Sequence, residues 1–450
     1  MDIKEFLDKN IDNMKSDLAK LVSYNSVFAE DEEPFGSENR KVLDCAIGLM
    51  NEKGLKTTNL DYYCGYGETG QGDKLIGILA HLDIVPVGEG WDSDPFKMIE
   101  KDGYLFGRGV SDDKGAAVAS MYALKYLMQE NYPFKKRVRL ILGCNEETGS
   151  LCIRHYVKND EAIDCGFTPD GIFPGIYAEK GMIGGKLVGH NTKIIDIKGG
   201  EASNVVCKKV TAKLPLHSFD IDKLKNYLDK NSIPYDIEID DVINLTTYGV
   251  SAHASTPDLG VNAISYMFEA LYEANFNDSF IDFFHNNFGL TTHGEILGYG
   301  DVMDEISDTS INFGVAKMRG KDIIVSLDMR FPVKSNSDKC YALLEKCTNS
   351  ENEFALGSKV EPLYFDINSP MIKALKKAYV DVTGDSKTEM KAIGGGTYAK
   401  AINNCIAFGC EFIGESNHIH DVNERLDIKS FRKQVEIYVE AIKNLNEIED

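Results

Sequence analysis

The sequence predicts an α/β protein into which a second, α+β domain is inserted. The chain has 450 residues, more than one hydrophobic core usually supports. Strand-like and helix-like stretches alternate up to about residue 178, glycine-punctuated short strands then take over, and the α/β pattern returns at about residue 367. We therefore predict a first domain made of residues 1–178 and 367–450, and an inserted domain at 179–366.

Hydrophobic periodicity supports each element of the first domain. Apolar residues at helical spacing predict amphipathic helices, and short continuous apolar runs predict buried strands. The predicted elements, in chain order, are helices at 3–22 and 40–53, a strand at 75–80, a helix at 114–130, strands at 138–143 and 163–168, and a helix at 369–383. This alternation indicates a mixed, mostly parallel sheet with helices on both faces.

The inserted domain has weaker patterns. Helices are predicted at 220–231 and 261–274, and a strand is predicted at 322–331. The stretch 276–310 is rich in Asn, Asp and Phe and has no clean period, so we expect an elaborated loop there. We therefore predict that 179–366 form a separate α+β domain, which explains why the regular alternation of strands and helices stops there.

Composition excludes several classes of protein. The net charge of −22 argues against nucleic-acid binding, which requires clustered Lys and Arg. No stretch is apolar for long enough to cross a bilayer, and no secretory leader is apparent at the N-terminus, so we expect no membrane association and a cytoplasmic location. The ten cysteines include no Cys-x-x-Cys pair, and we expect reduced thiols.

Acidic and histidine residues follow three predicted strands. His81 and Asp83 come after the first strand, Glu146 and Glu147 after the second, and Asp170 after the third. Since ligands bind beyond the carboxyl ends of parallel strands, these groups are expected at one edge of the sheet.

Each group taken alone has a simpler interpretation. A Glu pair is usually a solvated face, an Asp before a glycine is typical of a turn, and Asp112 stands where an acidic residue would cap the following helix. Their common placement favours a site for divalent metals, which bind His nitrogen and carboxylate oxygen. Asp83 is spaced to lie behind His81, and Glu146 beside Glu147 is available as a base.

Five segments carry a resemblance to a known family. The sequence resembles the M20 metallopeptidases, and within them the PepV-like dipeptidases of the Xaa-His dipeptidase and carnosinase-like subgroup. The matching segments span nearly the whole chain in family order and are Gly77–Pro86, Gly107–Gly115, Asn145–Ser150, Gly249–Pro257 and His420–Glu424.

The resemblance implies a role for each matching residue. Asp112 would bridge two metals, with Glu147 and His420 on one metal and His81 and Asp170 on the other. Asp83 would orient His81, and Glu146 would be the general base. His418 competes with His420, but only His420 has the Asn-Glu pair at the family's offset.

The resemblance also implies substrate contacts. His253 would stabilise the oxyanion, and Arg330 would bind the substrate carboxylate. Asn204 would contact the substrate, although Cys207 stands where the family often has proline. The run that contains Gly395 and Thr397 is similar to the dipeptidase subgroup and is expected to bind substrate.

The implied function is that of a dipeptidase that cuts small peptides with two divalent metal ions. Zinc suits the ligands best, and manganese or cobalt would be tolerated. The alternatives are an N-acyl-amino-acid deacylase of the same clan, similar to acetylornithine deacetylase or the desuccinylases, and a catalytically silent metal-binding protein. We expect a monomer, with a dimer as the alternative, and closure of the inserted lid domain during turnover.

Overall fold

A computed structural model describes residues 1–299, 304 and 306–449. Within that part of the chain, no helix combines the length and the apolar character that a membrane span requires.

The described residues contain ten α-helices and two short 3₁₀ turns. Their bounds are α1 (Ile3–Val22), α2 (Ser37–Glu52), α3 (Lys114–Gln129), α4 (Leu151–Asn159), α5 (Ile221–Lys230), α6 (Ala263–Glu273), α7 (Ser279–Asn287), α8 (Ser337–Lys346), α9 (Pro370–Thr383) and α10 (Ile428–Asn446), with 3₁₀ turns at Pro257–Leu259 and Tyr398–Ala401.

The strands are mostly short. Their bounds are β1 (Lys56–Leu60), β2 (Cys64–Gly70), β3 (Leu75–His81), β4 (Ile99–Lys101), β5 (Tyr104–Phe106), β6 (Arg137–Gly143), β7 (Cys165–Thr168), β8 (Ile176–Glu179), β9 (Gly181–Gly189), β10 (Asp196–Gly199), β11 (Lys209–Leu214), β12 (Tyr235–Ile239), β13 (Ile243–Tyr248), β14 (Ser310–Asn312), β15 (Ala316–Arg319), β16 (Asp322–Phe331), β17 (Asn352–Val360), β18 (Leu363–Tyr364), β19 (Lys391–Ile393), β20 (Cys405–Ala407) and β21 (Arg425–Asp427).

The chain divides into two compact units. The first unit contains Met1–Tyr177, Phe365–Lys391 and Gly396–Asp450, and the second contains Ala178–Tyr364 and Ala392–Gly395. The short piece Ala392–Gly395 thus groups with the second unit, although the sequence pattern placed it with the returning first domain.

The first unit is built on a mixed sheet in the order β1-β2-β6-β3-β7-β20-β8. Its centre is parallel, because β3 pairs in parallel with both β6 and β7, and β20 pairs in parallel with β7. All seven residues of β3 are buried, as expected of a central strand that is covered on both faces. Helices α3 and α10 pack on β3, so the α/β class and the mixed sheet are confirmed.

The second unit is an antiparallel sheet with helices packed on it. Its strand order is β12-β13-β11-β10-β15-β16-β9-β17, with β14 paired to β16. Helices α5 and α6 pack against each other, and α6 also packs on β11 and β13. One continuous apolar cluster, which includes Leu187, Phe268 and Leu327, fills this unit. The α+β class of the inserted domain is thereby confirmed.

The prediction of a loop across 276–310 is wrong for part of that stretch. Helix α7 lies within it and begins after Asp278, whose carboxylate accepts the N–H groups of Phe280 and Ile281. Phe280 and Phe284 are buried in the core of the second unit, so aromatic packing stabilises the helix. Residues 300–303 and 305 of the predicted loop lie outside the described residues.

Candidate metal centre

The ends of β3, β6 and β7 bring the predicted ligands to one edge of the first unit's sheet. His81, the last residue of β3, is the register partner of Gly143, the last residue of β6. The Thr168 hydroxyl at the end of β7 donates to the Leu79 carbonyl of β3 at 2.8 Å. The segments that follow these strands carry Glu146, Glu147 and Asp170, which is why residues distant in sequence become neighbours.

His81 is fixed at both ring nitrogens. Nδ1 lies 3.0 Å from the main-chain carbonyl of Asp83 and 3.6 Å from its carboxylate, and Nε2 lies 2.9 Å from Asp112 Oδ1. The main-chain N–H of His81 donates to Asp113 Oδ2 at 3.2 Å. The ring is buried, so these contacts determine its orientation.

Asp83 orients more than the histidine. Its two carboxylate oxygens accept the main-chain N–H groups of Glu146 at 3.0 Å and of Glu147 at 3.1 Å. The contact of Asp83 with His81 is therefore made chiefly by its carbonyl, while its carboxylate fixes the loop that presents the two glutamates. Sequence spacing could place Asp83 near His81, but not this division between carbonyl and carboxylate.

Asp112 lies between two imidazoles. Its Oδ1 faces His81, and its Oδ2 lies 2.9 Å from His420 Nε2. His420 Nε2 is also 3.1 Å from Glu147 Oε1. His420 itself is exposed and has a φ of 62°, in the left-handed region, so its surroundings must hold it there. Each oxygen of the Asp112 carboxylate thus faces a different imidazole.

The groups close enough to share a cation fall into two sets that both contain His81. Among the described residues, His81, Asp112 and Glu147 each offer a ligand atom within 4.8 Å of the others, and so do His81, Glu146 and Asp170. His nitrogen and carboxylate oxygen are the ligands of zinc and of similar divalent ions. Several carboxylates gathered in a nearly buried place also require positive charge. The donor set therefore fits divalent metal ions.

The two histidines bind protons tightly without a cation. Burial disfavours the charged form of His81, but the adjacent Asp112 and Asp83 outweigh it and raise the pKa of His81 well above its ordinary value. Contacts with Asp112 and Glu147 raise the pKa of His420 to about 10. Burial opposes ionisation of Asp112, yet the two imidazoles lower its pKa.

Asp170 and Glu146, unlike Asp112, have raised pKa values. Burial, followed by the charge of Asp112, raises the pKa of Asp170 to about 7. Burial, followed by the charge of Asp170, raises the pKa of Glu146 well above its ordinary value. Crowded carboxyls with raised pKa values are typical of functional sites, because a cation or a substrate supplies the missing charge.

Tyr398 is a neighbour of the site that sequence reasoning missed. Its ring lies edge-on to His81, with 6.1 Å between ring centroids, and its hydroxyl lies 3.0 Å from Cys152 Sγ. Gly143 leaves the room for it, since a Cβ there would lie 1.9 Å from the hydroxyl. Tyr398 directly follows Thr397 in the predicted substrate-binding run, and its aromatic character was the available clue.

The guanidinium of Arg330, in the second unit, is held by three hydrogen bonds. Its Nε and Nη2 donate to the two oxygens of Asp328 at 2.7 and 3.1 Å, and its Nη1 donates to the Gly394 carbonyl at 2.7 Å. Asp328, two positions earlier on β16, therefore fixes the direction of the guanidinium. Sequence reasoning missed Asp328, although residues two apart on a strand share a face.

Two more predicted substrate contacts of the second unit are brought together by a short bridge. Val205 pairs with His253, and the Ala254 N–H donates to the Asn204 carbonyl at 2.9 Å. His253 and Asn204 are both exposed. Partial desolvation, followed by the charge of Arg330, lowers the pKa of His253.

The glycine and threonine of the predicted substrate run fall in different units. Gly395 belongs to the second unit and Thr397 to the first. Thr397 Oγ1 accepts the N–H of Ala399 at 3.3 Å and so caps the 3₁₀ turn. His418, the competitor of His420, accepts the Asp421 N–H at its carbonyl, while the imidazole facing Asp112 and Glu147 is that of His420.

Comparison with known proteins identifies the family. Residues 77–444 match peptidase family M20/M25/M40. A "putative dipeptidase" of Staphylococcus haemolyticus is 31% identical over 461 aligned positions that cover 98% of both chains. Human carnosine dipeptidase 1 is similar in structure, with a TM-score of 0.60 at 14% identity over 99% of this chain and 98% of that one. An M20 family metallo-carboxypeptidase of Sulfolobus solfataricus has a TM-score of 0.60 at 16% identity over 97% and 99%. The chain therefore belongs to peptidase family M20/M25/M40 and is a hydrolase that acts on peptide bonds.

Proposed function

We propose that this protein is a dipeptidase that uses two divalent metal ions and Glu146 as general base. The observation that carries the proposal is the placement of Asp112 between His81 and His420, with Glu147 and Asp170 nearby. Similarity over 98% of both chains to a relative named "putative dipeptidase" supports the substrate class.

Five residues would hold the metals. These are Asp112 as the bridging group, Glu147 and His420 on one side, and His81 and Asp170 on the other. When bound there, divalent ions supply Lewis-acid activation of water and of the scissile carbonyl. The chain's own side chains do the remaining work of binding, orientation and proton transfer.

Glu146 suits the role of the proton carrier. Asp83 holds its main chain, and Glu147 rather than Glu146 makes the contact with His420. A carboxyl whose pKa is raised by burial takes a proton readily and can give it back. Glu146 would accept a proton from the attacking water and deliver it to the leaving amine.

The second unit would bind the ends of the substrate. Arg330, held by Asp328, would present its outer N–H groups to the substrate's terminal carboxylate, a pairing that suits a guanidinium. His253 would donate to the developing oxyanion, and its lowered pKa favours the neutral ring, in which one nitrogen carries a proton. Asn204, Gly395 and Thr397 would complete the substrate contacts.

An N-acyl-amino-acid deacylase is the alternative function. Both reactions cleave an amide beside a carboxylate, so the same metal ligands and the same arginine serve either. The enzyme stripped of metal and reconstituted should be assayed on a panel of dipeptides and N-acyl amino acids. We expect metal-dependent cleavage of dipeptides; faster cleavage of N-acyl amino acids would favour the deacylase, and no cleavage of either would favour a silent binding protein.

Three further properties are part of the proposal. Zinc is the metal we propose, because mixed His and carboxylate sites suit it, and reconstitution with zinc, manganese or cobalt compares the three. A monomer is proposed from the size of the inserted domain, and sedimentation would reveal a dimer. A cytoplasmic location agrees with the ten cysteines, none of which forms a disulfide with another described residue.

A further inference from the structure

The carboxylate of Glu424 is surrounded by hydrogen-bond donors from one short segment. Its Oε1 accepts the main-chain N–H of Ser111 at 2.9 Å and that of Asp112 at 3.1 Å. Its Oε2 accepts the main-chain N–H of Gly109 at 2.9 Å and Arg108 Nη1 at 3.0 Å. One side chain thus accepts three main-chain N–H groups in the segment that ends at the proposed bridging ligand.

This arrangement is shielded from solvent. Glu424 is 1% exposed and Arg108 is 2% exposed, so their contact is a buried ion pair. Arg108 also donates to the Val87 carbonyl at 3.3 Å, and its guanidinium lies 5.2 Å from the Trp91 ring. Converging main-chain N–H groups form a concave anion site, here filled by the protein's own carboxylate. Loss of the negative charge would leave the arginine and three N–H groups poorly matched.

Glu424 also lies in the segment that carries His420. Asn423, beside it, exchanges two hydrogen bonds with Asp92, at 2.9 Å to the Asp92 N–H and 3.2 Å to its carboxylate. His420 and Asn423 have φ angles of 62° and 59°, so this segment needs fixed anchors. Glu424 therefore connects the segment that carries His420 to the segment that carries Asp112.

We propose that Glu424 is a positioning residue that sets the bridging carboxylate of Asp112 against His420 by holding the main chain of residues 109–112. The inference rests on the proposed metal centre. Two of the four donors are the N–H of Asp112 and that of its neighbour Ser111, so a change in the carboxylate moves the ligand directly. If Glu424 only stabilised the fold, a substitution there would lower the fraction of folded protein but would leave the metal centre of the folded molecules unchanged.

The test compares Glu424→Gln with wild type for divalent-metal affinity in the absence of substrate. Zinc affinity is measured by competition with a chelator on protein shown to be folded by circular dichroism. Partners behind metal ligands typically contribute about 10- to 100-fold to metal affinity, and we expect a loss of that size. Trp91, the one tryptophan of the chain, gives a second readout: its fluorescence should change in the variant without metal.

Glu68→Gln is the matched control. Glu68 accepts Arg139 Nε at 2.8 Å, and its register partner on β6 is Arg139, toward the opposite end of that strand from Gly143. This variant also loses a partly buried carboxylate–arginine pair, and we expect unchanged metal affinity. Equal metal loss in both variants would overturn the proposal, as would wild-type affinity in folded Glu424→Gln.

A milder variant keeps the test decisive if Glu424→Gln does not fold. Glu424→Asp keeps the charge but is one methylene shorter, so it cannot reach all four donors. We expect folded protein with an intermediate loss of metal affinity, and wild-type affinity would contradict the proposal. If wild type itself bound fewer than two metals, the proposed function would fail; if wild type bound two and the variants bound them equally well, only the role of Glu424 would fail.

Discussion

His420 Nε2 lies 2.9 Å from Asp112 Oδ2, so in the absence of a cation the imidazole and the carboxylate form an ion pair. Asp112 and Glu147 together raise the pKa of His420 to about 10. Burial opposes ionisation of Asp112, but His420 and His81 lower its pKa. A metal ion that binds between His420 and Asp112 must replace the proton on the ring. The same holds for His81, whose pKa is also raised by Asp112.

Metal binding is therefore expected to release protons and to strengthen as the pH rises. Without metal, the raised pKa values of both histidines favour their protonated rings, and Asp170, with a pKa of about 7, titrates in the neutral range. For each proton that must be released, metal affinity rises roughly tenfold per unit of increasing pH, as long as the pH is below the pKa of the group that loses the proton. Titration calorimetry with zinc between pH 6 and pH 8, in buffers of different ionisation enthalpy, measures the zinc affinity and the number of protons released. A binding constant that does not change with pH, with no proton released, would contradict this account.

Asp170→Asn should stabilise the protein from which metal has been stripped. The pKa of Asp170 is about 7 in the fold against an ordinary value of 3.8, so wild type loses stability as the pH rises from about 4 to about 7. Asparagine removes this cost. We expect a gain on the order of 1–3 kcal/mol in the free energy of unfolding at pH 8, which shrinks toward pH 4.

Urea unfolding of stripped protein at both pH values measures this gain. Asp44→Asn, an exposed change on α2, is the control and should have little effect. With zinc present the order should reverse, because wild type gains binding energy that Asp170→Asn lacks. A variant less stable than wild type at pH 8 without metal would show that the ionised Asp170 carboxylate does not destabilise the fold.

Arg330→Lys should weaken substrate binding. Lysine keeps the charge but cannot pair with both oxygens of Asp328 while it also faces a carboxylate. We expect kcat/KM for dipeptides to fall roughly 10- to 100-fold, mainly through KM. Arg319→Lys, an exposed change on neighbouring β15, is the control. Equal kinetics of Arg330→Lys and wild type would remove the arginine from substrate binding.

His253→Ala should slow the chemical step without metal loss. A donor to the developing oxyanion is worth about 100- to 1,000-fold in kcat, and its removal leaves the ligands of the first unit unchanged. Steady-state kinetics and metal counting on the same preparation check both statements. His217→Ala, another exposed histidine of the second unit, should behave as wild type. Loss of metal from His253→Ala would assign the histidine a different role.

The sequence predicted best those residues whose positions follow from regular structure. His81 ends an apolar run, and the parallel pairing of β3 with β6 and β7 brings Glu146 and Asp170 near it. His420 lies in an irregular segment with positive φ, so no periodicity could place it, and only the family resemblance did.

What the sequence could not show depends on main-chain groups. The carboxylate of Asp83 accepts N–H groups of the glutamate loop, and the carboxylate of Glu424 accepts those of the loop before Asp112. Main-chain donors carry no residue identity, and only the folded chain shows where they converge. Helix α7 was missed for another reason: its Asn- and Asp-rich flanks masked the helical spacing of Phe280 and Phe284.

The most direct test of the central claim is turnover by Glu146→Gln with its bound metal counted. Zinc-reconstituted wild type and variant are assayed on one dipeptide, and metal per chain is measured on the same samples. If Glu146 is the general base, Glu146→Gln should keep two metals bound and reduce kcat by about 100- to 10,000-fold, whereas Glu147→Gln should lose metal. Near-normal turnover by fully loaded Glu146→Gln would contradict the account.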